Sequence, residues 1–365
     1  MKKWILAILT AIMLCGACAQ ADYQTGWEAE SAGDIELAFE LWEKAAAQGD
    51  ADSAYALGYR YQIGTYGEVD YAKAMEYFKI AAEQNLPRGQ YAVGLMYRKG
   101  QGVQQDNAAA LEWYLKAAAL GHGTAMNNIG LIYKEQGDYA AAMEWYLKAY
   151  ASGYDGMDGA PCTNIGQLYH NGQGVEQDYE KAMEWYLLGA QAGSAVSARN
   201  IGLMYYHAEG VEKDYAMAAQ WFEKSLELDP DYFNAIEWLG CIYRQKEYGM
   251  TPDYEKAELY LQRAAGLGSA VAACNIGIMY YHAEGVEKDY AMAAQWFEKS
   301  LELDPDYLEA LEWLGYIYRQ NEYGMTPDVV LTEAEGVMQS LGELTGRSIR
   351  EDVTNRIFQR FCVGK

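Results

Sequence analysis

Residues able to do chemistry recur in this chain at a fixed spacing. Asn128, Asn164, Asn200 and Asn275 are each followed six positions later by Lys134, His170, Tyr206 or Tyr281. Trp238 and Trp313 take the asparagine's place ahead of Arg244 and Arg319, and Arg98 opens the series. A carboxamide both donates to and accepts from a peptide main chain, and a guanidinium pairs with a carboxylate through two parallel bonds. Residues of these types in a ladder suit holding an extended, acidic segment rather than breaking a bond. The competing reading is structural: the asparagines bond neighbouring helices, and bases near a helix C-terminus complement its dipole.

Catalytic patterns are missing. Neither GxSxG nor SxxK occurs, which removes the common serine-hydrolase and penicillin-recognising signatures. His122, His170, His207 and His282 do not group with carboxylates at metal spacing, so no metal and no cofactor is expected. Cys162, Cys241, Cys274 and Cys362 form no CxxC pair. Cys241 and Cys274 fall on one face of successive helices, where a disulfide would need Cα atoms within about 7 Å although helix axes pack roughly 8–10 Å apart. The 33 tyrosines and 10 tryptophans fall largely at repeated core positions, with stacking on sugar rings as the alternative use.

The 365 residues carry 52 acids against 28 bases, a net charge of −24. Lys2 and Lys3 precede an apolar run from Trp4 to Leu14 and then small residues, the order of a secretory signal peptide over residues 1–21. Its removal takes the bases from 28 to 26 and the net charge to −26, which disfavours nucleic acid and anionic membranes as partners. A lipid anchor at Cys18, after Gly16 and Ala17, is the alternative fate of this end, although Cys15 stands where lipoprotein signals usually have leucine. No other run approaches the roughly 18–20 apolar residues that span a bilayer, so no transmembrane segment is expected in the mature chain. The expected location is periplasmic or secreted, or membrane-anchored if Cys18 is lipidated.

Positioning that ladder requires a repeating element. A glycine recurs at Gly58, Gly94, Gly130, Gly166, Gly202, Gly240, Gly277 and Gly315, at intervals of 36 to 38 residues, and a tyrosine follows three residues after each. Around each glycine, small or apolar residues at −4, −1, 0 and +3 make one helical face. A second helix follows, with an aromatic pair set among alanines, as in AALEWYLKAAALG from Ala109. Between the two lie GQGVQQD, GQGVEQD or AEGVEKD, in which a glycine supplies a left-handed turn and Asp106, Asp178, Asp214 or Asp289 caps the second helix. In the longer YGMTPD link, Thr251 or Thr326 is expected at the cap and Pro252 or Pro327 at the first helical position. Tyr23–Ser31 reads as a first helix lacking the glycine pattern, with a good second helix over Ile35–Ala47.

A two-helix unit cannot bury its own apolar face, so the predicted fold is all-α: an α/α superhelical solenoid of about eight helix-turn-helix repeats of 36 to 38 residues. The domain plan is a signal peptide at 1–21, the solenoid at 22–328 and capping helices at 329–365, where Ser348 and Glu351 offer a capping box. The stretch MYYHAEGVEKDYAMAAQWFEKSLELDPDY stands at Met204–Tyr232 and again at Met279–Tyr307, and residues 200–253 differ from 275–328 at six positions. A compatible pair of units can be copied this way because each unit contacts only its neighbours.

The residues LG..Y, then G.GV..D, then A..W(Y/F)..AA..G, closely resemble the Sel-like repeat (SLR) family, relatives of the tetratricopeptide repeats, over about Ala29 to Asp328. Two units, LELDPDYFNAIEWLG and LELDPDYLEALEWLG, lean toward the tetratricopeptide form. The resemblance implies a curved superhelix whose concave groove binds peptide or protein partners without catalysis, in scaffolds of envelope assembly, secretion, host interaction or signalling. It places Asn128, Asn164, Asn200, Asn275, Arg98, Lys134, Arg244, Arg319, Trp238 and Trp313 on the groove-lining face. Alternative expectations are an adaptor for cell-envelope polysaccharide or peptidoglycan and, less favoured, an enzyme regulator or weak hydrolase.

Overall fold

A computed structural model describes residues 22–65, 67–153, 158–245 and 251–319. These residues hold seventeen helices and no strand. They pair as α1 (Tyr23–Ser31) with α2 (Ile35–Ala47), α3 (Ala51–Ile63) with α4 (Tyr71–Glu83), α5 (Pro87–Lys99) with α6 (Asn107–Ala119), and α7 (Gly123–Glu135) with α8 (Tyr139–Ala151). Next come α9 (Ala160–Asn171) with α10 (Tyr179–Gln191), α11 (Ala195–His207) with α12 (Tyr215–Leu228), α13 (Phe233–Arg244) with α14 (Tyr254–Gly266), and α15 (Ala270–His282) with α16 (Tyr290–Leu303). The last described helix is α17 (Leu308–Arg319). The chain divides into two compact units between Trp185 and Tyr186, inside α10. Within each unit the first helix of a pair packs on its second, and the second packs on the first helix of the next pair. This is the α/α solenoid arrangement expected from the repeats. The expected signal peptide and C-terminal capping helices lie outside the described residues.

In seven of the first helices a large side chain lies on the glycine. A methyl group at Gly130 would fall 2.5 Å from Cε1 of Tyr146, at Gly94 2.7 Å from Tyr114, and at Gly58 2.6 Å from Phe78. Phe222 and Phe297 do the same to Gly202 and Gly277, and Leu261 to Gly240. Gly26 in α1 has the same relation to Trp42. So α1 does carry the repeat's glycine, although no tyrosine follows at +3, which concealed it in the sequence. Of each aromatic pair, the second residue is buried over the glycine, whereas the first reaches the preceding core: Trp113 packs on the Val93 and Met96 cluster, and Trp145 on the Ile129 cluster.

The links show why the sequence stops each helix where it does. Asp106, Asp178, Asp214 and Asp289 accept the first amides of their helices at 2.9 Å. Each capping aspartate also donates its own amide to the carbonyl of the tyrosine three residues after the glycine: Asp106 to Tyr97 at 2.9 Å, Asp214 to Tyr205 at 3.1 Å and Asp289 to Tyr280 at 3.2 Å. That bond ties the tyrosine position to the cap. The long link departs from expectation. Asp253, not Thr251, caps α14 by accepting from Lys256, and Pro252 precedes the helix instead of opening it. The bond from Asp253 to the Tyr243 carbonyl, 3.0 Å, sets the cap there, as in the shorter links. Thr326 and Pro327 lie outside the described residues.

Left-handed glycines at φ 66° and 64° close α5 and α9, but Ala208 and Ala283 hold this conformation after α11 and α15, at φ 62° and 60°. A Cβ in the left-handed region costs about 1–2 kcal/mol, part of which glycine returns through its greater unfolded-state entropy. Ala208→Gly and Ala283→Gly are therefore each expected to stabilise the fold by about 1 kcal/mol, measured by urea denaturation against the parent.

Burial raises the pKa of several tyrosines. Tyr77 is pushed up from 10.0 to about 12, first by burial and then by Glu43. Tyr243 also rises to about 12, by burial and by its hydroxyl donating to Glu223 at 2.7 Å. Tyr114, Tyr146 and Tyr186, each buried over a core, rise further from the same first cause. The fold thus favours the neutral phenol. The stability this gives is complete below the ordinary value near 10 and is lost as pH climbs through about 12. Tyrosinate absorbance is expected to rise in two phases, exposed tyrosines first and the buried set together with loss of helix.

Candidate functional site

The residues at −2 and +4 around the repeated glycines look like two parallel ladders in the sequence. Within each unit the structure brings the two together in a seam, because +4 of one repeat meets the following repeat. Arg98 pairs with Glu135 at 2.6 Å and donates to the main-chain carbonyl of Asn128 at 3.4 Å. Lys134 donates to Gln167 at 2.9 Å, and burial lowers its pKa. Arg244 pairs with Glu284 at 3.1 Å with its side chain 11% exposed. The side chain of Arg319, in the last turn of α17, is outside the described residues.

The asparagines are engaged between neighbouring helices within each unit. Asn128 donates to the Tyr91 hydroxyl at 3.4 Å, and Asn164 to the buried Asn127 at 3.0 Å. Asn200 is buried and serves as hydrogen-bond partner to Tyr186. Asn275 donates to the Val271 carbonyl at 3.0 Å and lies 3.6 Å from the Cys241 sulfur. All four therefore reach another helix. All remain at least partly accessible except Asn200.

In the duplicated repeats the seam is aromatic. Trp238 stacks on Phe222 at 6.0 Å and 8° and meets Tyr206 at 4.7 Å, with Tyr215 and His207 against the other edges of Tyr206. Trp313 repeats this with Phe297 at 6.0 Å and 7°, Tyr281 at 4.9 Å, Tyr290 and His282. The two tryptophans are half-buried, and both histidines are exposed at the rim. Residue identity over the copied stretch thus becomes identity of side-chain geometry.

Among the described residues no group of three or more histidine, cysteine or acidic side chains could hold a metal ion. Cys162, Cys241 and Cys274 are free thiols. Burial pushes Cys241 up to about 12, and it pushes Cys274 up as well, so neither is an activated nucleophile. No described helix is long and apolar enough to cross a membrane.

The Sel1 repeat pattern matches residues 17–50, 51–86, 87–122, 162–194, 195–230, 233–269 and 270–305. The chain belongs to the Sel1 repeat family. A tetratricopeptide pattern matches residues 123–152, the α7–α8 pair, whose short turn lacks the G.GV loop. Of the two stretches expected to lean that way, the first falls at the junction into the Sel1 match at 233–269. A Sel1 repeat protein from Oxalobacter formigenes is 30% identical, with TM-score 0.60 over 67% of this chain and all of its own. The c5321 protective antigen of uropathogenic Escherichia coli, described as displaying an SLR fold, is 23% identical with TM-score 0.53, covering 92% of this chain and 86% of that one, and shows likeness of fold. A tRNA modification GTPase MnmE from Roseiflexus is 39% identical over 44 residues, 12% of this Sel1 repeat chain. The chain spans about a tenth of the length of the curated relatives it matches. Sel1 repeats commonly serve as protein-interaction scaffolds.

Sequence reasoning missed the acids that meet the basic stripe. Glu135 and Glu284 sit five and seven residues after their glycines, so they share no single column with each other. It also missed the pair between Arg60 and Glu30 in the first two repeats.

Proposed function

We propose that this Sel1 repeat chain is an exported, non-catalytic scaffold that binds a protein segment along the outward face of its first helices. The observation that carries the proposal is the seam. Within each unit, groups able to bind recur from repeat to repeat without converging on a point where a small substrate could be transformed, and such a line suits an extended chain. An acidic segment fits because Arg98 is held in place while its partner is exchangeable. Glu135 is 53% exposed, so its hold on Arg98 is screened by water and open to competition from a partner's carboxylate. Export is supported by the order of Lys2, Lys3 and the apolar run from Trp4 to Leu14.

The test is capture of envelope and secreted proteins on the immobilised chain beside a copy carrying Arg98→Glu, Arg244→Glu and Arg319→Glu. A protein retained by the parent and lost by the copy, with helix content unchanged, is the expected result. Equal retention by both would refute the stripe's role. A second reading, an adaptor for envelope polysaccharide, draws on the twin clusters around Trp238 and Trp313, whose half-buried rings could stack on sugar faces. Quenching of tryptophan emission by peptidoglycan fragments, abolished in Trp238→Leu together with Trp313→Leu, would put it ahead.

A further inference from the structure

The loop after α3 departs from a contact that other described loops make. After α5, α9 and α15 the loop folds onto the first residue of the preceding second helix, a tyrosine. Gly102 is so close to Tyr71 that a methyl there would lie 2.7 Å from its carbonyl oxygen, and Gly174 stands likewise against Tyr139 and Gly285 against Tyr254. Val103, Val175 and Val286 of these loops pack in the same clusters as Tyr71, Tyr139 and Tyr254. The corresponding loop after α3 reads GTYGEVD, with its second glycine one place later and its valine two places later than in GQGVQQD. The residue it should cover is Ile35 instead of tyrosine. A methyl at Gly67 would meet nothing within 4 Å, and Val69 is exposed.

What remains is a cavity of about 440 Å³ between α2 and α3. Ile35, Phe39 and Tyr61 give it an apolar floor, with Phe39 and Tyr61 edge to face at 5.6 Å. Glu36, Glu40 and Glu43 stand exposed along its rim. The cation in the lining, Arg60, is neutralised by two bonds to Glu30, at 2.8 and 2.6 Å. Lys44 reaches Glu40 from the same helix at 2.6 Å, and Tyr77 reaches Glu43 at 3.5 Å, both from outside the floor.

We propose that this cavity is a docking site for a basic, amphipathic peptide segment of a partner. An aliphatic side chain of the segment seats on Ile35, Phe39 and Tyr61 where the loop valine sits in other repeats. A lysine or arginine beside it meets the carboxylates of α2. Charge complementarity selects this occupant: the floor alone would take any apolar side chain, but the rim repels an acidic one. The site lies apart from the seam and does not depend on what the seam binds.

The test is calorimetric titration of the full chain with a synthetic peptide of alternating lysine and leucine. One peptide is expected to bind per chain, more weakly at high salt. Ile35→Tyr, which places there the residue found at Tyr71, Tyr139 and Tyr254, is expected to weaken binding at least about tenfold while leaving the thermal midpoint unchanged or raised. Glu36→Gln, Glu40→Gln and Glu43→Gln together are expected to weaken it as much, without disturbing the core, since all three are exposed. The same charge change placed at Glu112, Glu144 and Glu180 is expected to leave binding intact; equal weakening there would mean diffuse attraction and overturn the site. Unchanged affinity in Ile35→Tyr, or equal binding of an alternating glutamate and leucine peptide, would overturn it too. If a peptide of residues 1–21 bound more tightly than the lysine and leucine peptide, this chain's own basic apolar segment would be the occupant and the partner assignment would fall.

Discussion

Gly130→Ala is expected to destabilise the chain by about 2–3 kcal/mol, against the ordinary gain of roughly 1 kcal/mol from replacing a mid-helix glycine with alanine. The sign reverses because the new methyl would sit 2.5 Å and 2.6 Å from Cε1 and Cδ1 of Tyr146, a fully buried ring with no room to retreat. Tyr146→Ala alone is expected to cost about 3–5 kcal/mol by opening a cavity over that glycine. The two changes should not add. With the ring gone the methyl has space, so the double variant is expected to be more stable than the sum of the singles by about 2 kcal/mol, a coupling readable from a thermodynamic cycle in urea. Additivity within about 0.5 kcal/mol would mean that the glycine and the ring do not contend for the same space.

Glu30→Ala should cost about 3–5 kcal/mol, far more than loss of a surface ion pair. Its carboxylate holds the Nε and Nη2 of Arg60 at 2.8 and 2.6 Å, and the two side chains are only 12% and 14% exposed. The guanidinium lies 5.3 Å over the Trp42 ring, which itself donates to the Tyr23 carbonyl at 3.1 Å. Removing the carboxylate leaves a cation in a mostly apolar place. Replacing both partners with methionine removes the stranded charge, so that pair variant is expected to fall within about 1 kcal/mol of the parent. In a repeat array the damage stays near its source. Hydrogen exchange is expected to speed in α1, α2 and α3 of Glu30→Ala and to stay unchanged in α13 to α16. A loss of protection spread evenly over all these helices would contradict nearest-neighbour stability.

These two pairs show different degrees of legibility. The Gly130 contact could be read from the sequence as a class, because glycine recurs at one phase of a helical face and an aromatic pair recurs at one phase of the next. Which aromatic of the pair covers the glycine could not be read, since both lie near the required side. The Arg60 and Glu30 pair left no periodic trace at all. It joins neighbouring repeats at positions the other repeats fill differently, so only the packing of α1 against α3 brings the charges together.

The same division holds for the candidate site. The sequence by itself determined the repeat length, the two-helix unit, the capping aspartates of the short links and the all-α fold, because each follows from local periodicity, side-chain size and turn chemistry acting over fewer than forty residues. It also set Asn128 and Trp238 at −2, and Arg98 and Lys134 at +4, around the repeated glycines. The tertiary structure alone decided that +4 of one repeat meets the next repeat, which makes a seam of two ladders. It alone decided that Asp253 caps the long link and that α1 already carries the repeat's glycine. It alone opened the cavity beside Ile35, where a loop valine moved by two places no longer reaches its seat. Contacts between repeats depend on the distance and rotation from one helix pair to the next, and no spacing along a single chain states either.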